Sequence, residues 1–350
     1  MTKREKFFKT IRREEEGYIP FDFSLCPSLE EKSKKITGGV DYRDYYNLPL
    51  RFIEAHVRDK RDVFLKYHGN LEKNIIINEW GVGFERGSIE HFTRMKHPMQ
   101  FFEDISEFQA YPYPDANDDY DWESLRKTIK ELKERDLIVA ASMPMTIFEI
   151  AWYLRGMENF MVDMLTEPDI AEYHLDRITS IRCQCAIKYA ELGVDILHVG
   201  DDVGTQLDMM IEPKMWEKFL KFRLKKVIDS AKEINPDILI DYHSDGNIMK
   251  IIPSLIEIGV DILNPVQPEC IKPEEVKKLY GDRLSFRGTI GTQTTMPFGT
   301  CEEVEKVCEN MIHIMGKGGG FILSPTHILE PEVPWENIEA MINTVKKYSL

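Results

Sequence analysis

His243 and Asp245 flank a single residue in DYHSDGN (241–247), and a strand ending there turns both side chains to the same side. An imidazole and a carboxylate so placed can share one cation. A second imidazole, His327 in SPTHI, follows the last apolar run and can approach from another direction. Two nitrogens and a carboxylate oxygen with a position left open make a catalytic rather than a structural zinc pattern, although a metal-free His–Asp hydrogen bond satisfies the same spacing. Asp201 and Asp202 stand together in GDDVGTQ. Neighbours at a strand end face opposite ways, so one of this pair turns to the pocket and the other caps or orients a loop. Either carboxylate, or the phenol of Tyr242, could serve as a catalytic acid. Gln267 and Gln293 follow later strands, and Trp80, Phe84, Phe92 and Trp152 supply aromatic surface for a binding pocket, as they equally could for a core.

These residues need elements to carry them to one place. GVDIL occurs at 193–197 and again at 259–263, each time after a helical stretch, with ILIDY (238–242) between the two copies. The spacing fits two successive strand–helix units. Each strand is short, apolar on both faces and β-branched, as a parallel sheet buried on both sides requires. In 213–234, Trp216, Leu220, Leu224, Val227, Ile228 and Ala231 recur at three and four, the period of an amphipathic helix. Further strands read at 18–23, 74–81, 137–142, 284–288 and 321–324, which brings the count to eight. The pattern predicts an α/β chain folded as a (β/α)8 TIM barrel, one domain over 1–350, with 1–17, 24–73 and 97–136 as additional helical or loop segments. In such a barrel the strand ends deliver side chains to one face, and the polar residues here follow the apolar strand cores in order. GKGGG (316–320) precedes a strand instead of opening a helix, so it reads as a turn and not a phosphate loop.

The 350 residues are 43% hydrophobic and 30% charged, which excludes a disordered chain, and the net charge of −15 repels nucleic acid and anionic lipid. No apolar run approaches the ~20 residues of a membrane span, and MTKREKFFKTIRREEEGY reads as a charged amphipathic helix and not a signal peptide, so a cytoplasmic protein is expected. Six cysteines without a CxxC suggest reduced, packed thiols.

GDDVGTQ with IEPKMWEKFLK, then HSDGNI, GVDILNPVQP, GDRLSFRGTIGTQ, GTCEEV and GGGFILSPTHILEPEVPWENIEAM together resemble the uroporphyrinogen decarboxylase superfamily, in its branch of corrinoid-linked methyltransferases, from about residue 137 onward. The resemblance implies a (β/α)8 barrel. Porphyrinogen decarboxylases carry an N-terminal arginine-rich substrate loop, and this chain has GYIPFDFSL in its place. Thiol-directed methyltransferases of the branch hold zinc on a His-x-Cys pair and a late cysteine, where this chain has His243-Ser244-Asp245 and His327. Carboxylate and imidazole in place of two thiolates make a harder site, suited to an oxygen ligand. The resemblance therefore implies the methyltransferase of a corrinoid-dependent O-demethylase. Such an enzyme moves a methyl group from a methoxylated small molecule, an aromatic one among the options, to cobalt(I) of a separate corrinoid-binding protein. Zinc is the expected metal, and the sequence leaves a homodimer open. The alternative the resemblance carries is a decarboxylase of an aromatic or porphyrin acid.

Overall fold

The computed structural model describes residues 1–69, 75–86 and 93–348. Among the described residues there are ten strands: β1 (Leu50–Ile53), β2 (Ile75–Ile77), β3 (Gly83–Arg86), β4 (Thr93–Lys96), β5 (Ile138–Met143), β6 (Ile196–Gly200), β7 (Leu239–His243), β8 (Ile262–Asn264), β9 (Ser285–Arg287) and β10 (Phe321–Ile322). β1 and β5 to β10 form one parallel sheet in chain order, and the segment through Phe21 and Leu25 bridges in parallel to Leu323 and Leu329 just beyond β10. Eight extended segments thus succeed one another around an α/β barrel, with helices packed outside.

Alternation along each strand sorts the side chains. Leu50, Ile138, Ala140, Ile196, Leu239, Ile262 and Ile322 fill the barrel interior together with Phe7 and Ile11 of the helix Lys3–Ile11, which plugs its lower end. That helix is started by a Thr2/Glu5 capping box and tied down by two hydrogen bonds from Arg4 to Asp195, at 2.6 and 2.7 Å. The outward residues Leu197, Val199, Ile240, Tyr242, Leu263, Phe286 and Phe321 pack against the helices.

The repeated GVDIL has a structural purpose. Asp195 Oδ2 accepts from Val139 N at 2.9 Å, and Asp261 Oδ2 accepts from Ile240 N at 2.8 Å, so each copy pins the lower end of its strand to the strand before it. Each aspartate also receives a lysine, Lys133 in the first case and Lys232 in the second.

Two expectations need correction. The stretch 74–81 is not a barrel strand: β2, within it, pairs antiparallel with β3, and β3 with β4, in a separate sheet, and Asn74 lies outside the described residues. Ile76 is 53% exposed, so this apolar run is not covered on both faces. The barrel position belongs to β1, inside the 24–73 segment expected to be additional. Its central Arg51 hid it. The guanidinium is neutralised by Asp44 and donates to the carbonyls of Leu48 and Leu50 at 2.9 and 2.7 Å, which makes burial of a charged residue tolerable. The helix expected over 213–234 is present with one π-helical turn, Glu217–Lys221, between Pro213–Trp216 and Phe222–Ile234. Among the described residues no helix is long and apolar enough to cross a membrane.

In the helical layer His174 is fully enclosed. Its Nε2 faces the Ala151 carbonyl at 3.1 Å and its Nδ1 faces the Tyr113 hydroxyl at 2.8 Å. A carbonyl only accepts, so Nε2 carries the hydrogen and Nδ1 accepts from Tyr113. Burial brings the imidazole down from 6.5 to about 4. A lowered pKa contributes stability that is complete above the unfolded value and lost as pH falls through the folded one. Urea unfolding should therefore show stability declining from pH 6.5 to 4, by an amount on the order of 3 kcal/mol from this group. A His174→Gln variant should lose that part of the slope; an unchanged slope would show that the acid sensitivity lies elsewhere.

Candidate functional site

The polar side chains collect at the end of the barrel where the strands finish. On β7 the period of two turns Asp241 and His243 into the barrel and Tyr242 away from it. Tyr242, expected as a catalytic acid, is 1% exposed in the layer between sheet and helices, its hydroxyl 3.5 Å from the Asp201 carbonyl, and it does not line the pocket. Burial pushes that phenol well up, so it holds its proton where no substrate reaches it.

His243 Nε2 stands 3.8 Å from Asp202 Oδ1 and 3.8 Å from Asp245 Oδ1, and one ligand atom from each residue lies within 4.8 Å of the others. Asn264, at the register position beside His243 on β8, sets the imidazole. Its Nδ2 donates to the Arg287 carbonyl at 3.1 Å, which leaves Oδ1 to face His243 Nδ1 at 2.6 Å. Nδ1 must then carry a hydrogen, and Nε2 is the ring nitrogen turned toward the two carboxylates. Asp245 Oδ1 is buried without a hydrogen-bond partner. Burial and the nearby Asp202 charge raise the Asp245 carboxyl, with His243 and His327 pulling the other way. An orphaned carboxylate oxygen beside a ring nitrogen and a second carboxylate is what a divalent cation would satisfy, and these three residues fit one. His327 is exposed on the rim of the same pocket, outside the converging three.

The carboxylates are held together by backbone. Asp202 Oδ1 accepts from Asp245 N at 2.8 Å. The loops that carry them touch through glycine: a Cβ on Gly204 would stand 2.7 Å from the Asp245 carbonyl oxygen, and one on Gly246, at φ +84, would meet the Gly204 carbonyl carbon at 2.7 Å. Asn247 N donates to Thr205 O at 2.7 Å across the same contact. Gln267, expected to bind substrate, spends its Oε1 on Gly246 N at 3.1 Å, and Gln293 on the exposed rim accepts from Gln206 at 2.8 Å.

Asp201 is 5% exposed and faces the other way. Its carboxylate accepts from Ile147 N at 3.0 Å and Glu149 N at 2.9 Å, capping the helix Phe148–Arg155 from a strand end 52 residues later in the chain. Burial raises it to about 6, the backbone donors opposing. Glu149, which sequence reasoning missed, closes the group: its Oε2 accepts from Asp202 N at 3.0 Å. Burial, then the charges of Asp201 and Asp202, push its carboxyl up to about 9, so at neutral pH it is uncharged.

Beneath His243 the barrel floor is an ionic network. His198 Nδ1 lies 3.0 Å from Asp241 Oδ2, and Arg287 donates to the same oxygen at 3.0 and 2.7 Å. Burial alone would raise Asp241, yet the Arg287 and His198 partners bring it to about 2. Asp22 at the first strand end is raised by burial to about 6, with Arg287 opposing. The pocket above this floor measures about 490 Å³, and its walls include Phe52, Ser142, His243, Arg287 and Arg43. The two arginines were not anticipated; each already has carboxylate partners, Arg287 in Asp241 and Arg43 in Asp41 and Glu30. Of the aromatic residues expected to line a pocket, Trp80 borders a second cavity, Phe84 and Trp152 pack at the edge of the core, and Phe92 lies outside the described residues.

Asn264→Ala should lower the affinity of the cluster for zinc by about 10- to 100-fold, since it removes the partner that fixes the donor tautomer while leaving all three donors in place. Calorimetric titration of the metal-stripped chain reads this directly, and an unchanged affinity would discharge Asn264 from the role.

Comparison with known proteins gives the lineage. The chain is 25% identical over 224 residues to the methylcobamide:CoM methyltransferase MtaA of Methanosarcina barkeri, a match covering 63% of this chain and 62% of that protein, so it spans less than two thirds of the relative's length. It is 25% identical over 281 residues to the uroporphyrinogen decarboxylase of Rickettsia bellii, covering 79% of this chain and 78% of that one. A methyltransferase from Methanosarcina mazei superposes over the full length of both chains with a TM-score of 0.73 at 17% identity, a likeness of fold. The uroporphyrinogen decarboxylase (URO-D) family matches residues 2–348, and the chain belongs to that family.

Proposed function

We propose that this chain is the substrate-side methyltransferase of a corrinoid-dependent O-demethylase, moving the methyl group of a methoxylated small molecule to cobalt(I) of a corrinoid-binding protein. The observation that carries the reading is the convergence of Asp202, His243 and Asp245 at the strand ends, with the orphaned Asp245 oxygen, His243 also lining the pocket there. The similarity to a methylcobamide:CoM methyltransferase supports the reaction class. The donor set, one imidazole and two carboxylates without thiolate, supports an oxygen substrate over a thiol.

The balance is simple: the methyl carbon leaves oxygen and bonds to cobalt, the cobalt supplies both electrons, and the departing oxygen must gain a proton or a cation. A zinc ion held here would supply Lewis acidity toward that ether oxygen. The chain's own residues prepare the site for it. Asn264 turns Nε2 of His243 toward the carboxylates, and the Asp245 amide and the glycine contact hold Asp202 against Asp245. Glu149, pushed up to about 9 by burial, keeps its proton, which leaves Asp202 and Asp245 as the carboxylate donors beside His243. Asp201 fixes the helix that bears Glu149 and takes no part in the chemistry.

Asp202→Asn should therefore reduce kcat/KM at least about 100-fold, whereas Asp201→Asn should act first on thermal stability by uncapping a helix. Equal effects of the two exchanges on turnover would abolish the distinction. With a reduced corrinoid protein and a methoxylated aromatic, methylcobalt absorbance should grow as the free phenol is released, and methanol should be a poorer donor because its alkoxide leaves less readily. Carbon dioxide release from uroporphyrinogen, with no methyl transfer from any donor of a panel, would replace this reading with the decarboxylase one.

A further inference from the structure

We infer that Asp22 is the acid of the reaction, the group that gives the departing oxygen its hydrogen; this rests on the methyl-transfer reading and assigns a further catalytic residue to it. A cation withdraws charge from that oxygen but adds no hydrogen, and the demethylated product leaves as a hydroxyl compound. The proton needs a donor on the pocket wall. Among the described residues Asp22 is the one carboxyl in the walls of the strand-end pocket. Alternation with the core residues Phe21 and Phe23 turns it into the barrel. Its segment is the first of the eight around the barrel and β7 is the fifth, so Asp22 and His243 stand on opposite sides of one cavity.

The surroundings leave Asp22 able to hold that proton. It is 6% exposed, and its carboxyl opens on the cavity with no ion pair, assisted only by the Phe23 amide. Three arginines face it, and each is taken. Arg287 on β9 donates twice to Asp241, Arg51 on β1 is paired with Asp44, and Arg43 on the helix Tyr42–Tyr45 with Asp41 and Glu30. Tyr42, also beside it, keeps its phenol proton, pushed up to about 12 by burial. Burial raises the Asp22 carboxyl to about 6 against the pull of these arginines, so it is protonated below that pH and in part still at neutrality. Other proton carriers are spent. Asp241, which burial would raise, is brought to about 2 by Arg287 and His198 and has no proton to give. His198, lowered by burial, directs its own hydrogen to Asp241. Glu149 and Asp201 are turned to backbone amides away from these walls, and Asp202 and Asp245 are the cation donors. In the step itself the methyl carbon bonds to cobalt(I) through the cobalt electron pair, the carbon–oxygen pair stays on oxygen, and that oxygen takes the Asp22 proton. Solvent then restores the carboxyl.

Two donors of similar size, offered to the full chain with a reduced corrinoid protein, test this. 4-Methylanisole departs as a basic phenolate that needs the proton, and 4-nitroanisole as a stable phenolate that does not. The ratio of the first rate to the second should fall about tenfold per pH unit above about 6, and effects on the carrier cancel in it. Asp22→Asn keeps the shape and should slow 4-methylanisole about 100-fold but 4-nitroanisole less than about threefold, with the pH dependence of the ratio gone. Should that variant not fold, the ratio measured on the wild type decides alone. A ratio indifferent to pH, or equal slowing of both donors in the variant, would overturn the role of Asp22 and leave methyl transfer standing. No transfer from either donor by the wild-type chain would sink the methyl-transfer reading and this assignment with it.

Discussion

Carboxylates gathered in a partly buried pocket repel one another, and the architecture around this site is organised against that repulsion. Glu149, Asp201, Asp202 and Asp245 come together with no lysine or arginine bonded to any of them among the described residues. Backbone amides do the holding. Ile147 and Glu149 donate to Asp201, Asp245 donates to Asp202, and Asp202 donates to Glu149. An amide carries only a partial charge, so it stabilises a carboxylate without cancelling it. The group keeps an appetite for a cation that an arginine would have spent, as Arg287 does spend that of Asp241 one layer below.

That arrangement couples the strand ends to the helical layer. Asp201 and Asp202 are neighbours, yet one anchors the helix Phe148–Arg155 and the other turns to His243 and Asp245. The same helix returns Glu149 to the Asp202 amide. Displacing any one of these elements moves a ligand of the next. Barrel cores tolerate volume-conserving exchange, but a hydrogen-bonded polar group of this kind fails when a single member is left unpaired.

The parallel strand–helix repeat and the gathering of polar side chains at the strand ends were legible because parallel strands buried on both faces leave a plain apolar signature, while the count of eight was reached with 74–81 standing in for β1. β1 was not, because Arg51 interrupts its pattern and is made harmless only by Asp44 and two nearby carbonyls, contacts that a linear reading does not contain. The isoleucines of β2 misled for the converse reason: a run of three reads as buried, while Ile76 faces solvent. His243 and Asp245 were found from spacing. The same alternation would have turned Tyr242 outward, a signal that was available and went unused. Asp202 as the third member, in place of His327, and Glu149 on a helix far upstream required the tertiary structure, since no spacing rule links a helix start to a strand end 52 residues away.

The contact between Gly204 and Gly246 is made of main chain alone. No side chain at position 202 or 245 contributes to it, and the Asp202 carboxylate adds a bond of its own from the Asp245 amide. A frame of that kind is a socket for interchangeable donors at position 245, whose side chain takes no part in joining the loops: sulfur, nitrogen or oxygen could be seated there without rebuilding them, and metal preference could drift over evolutionary time, or be redirected by design, through that one residue.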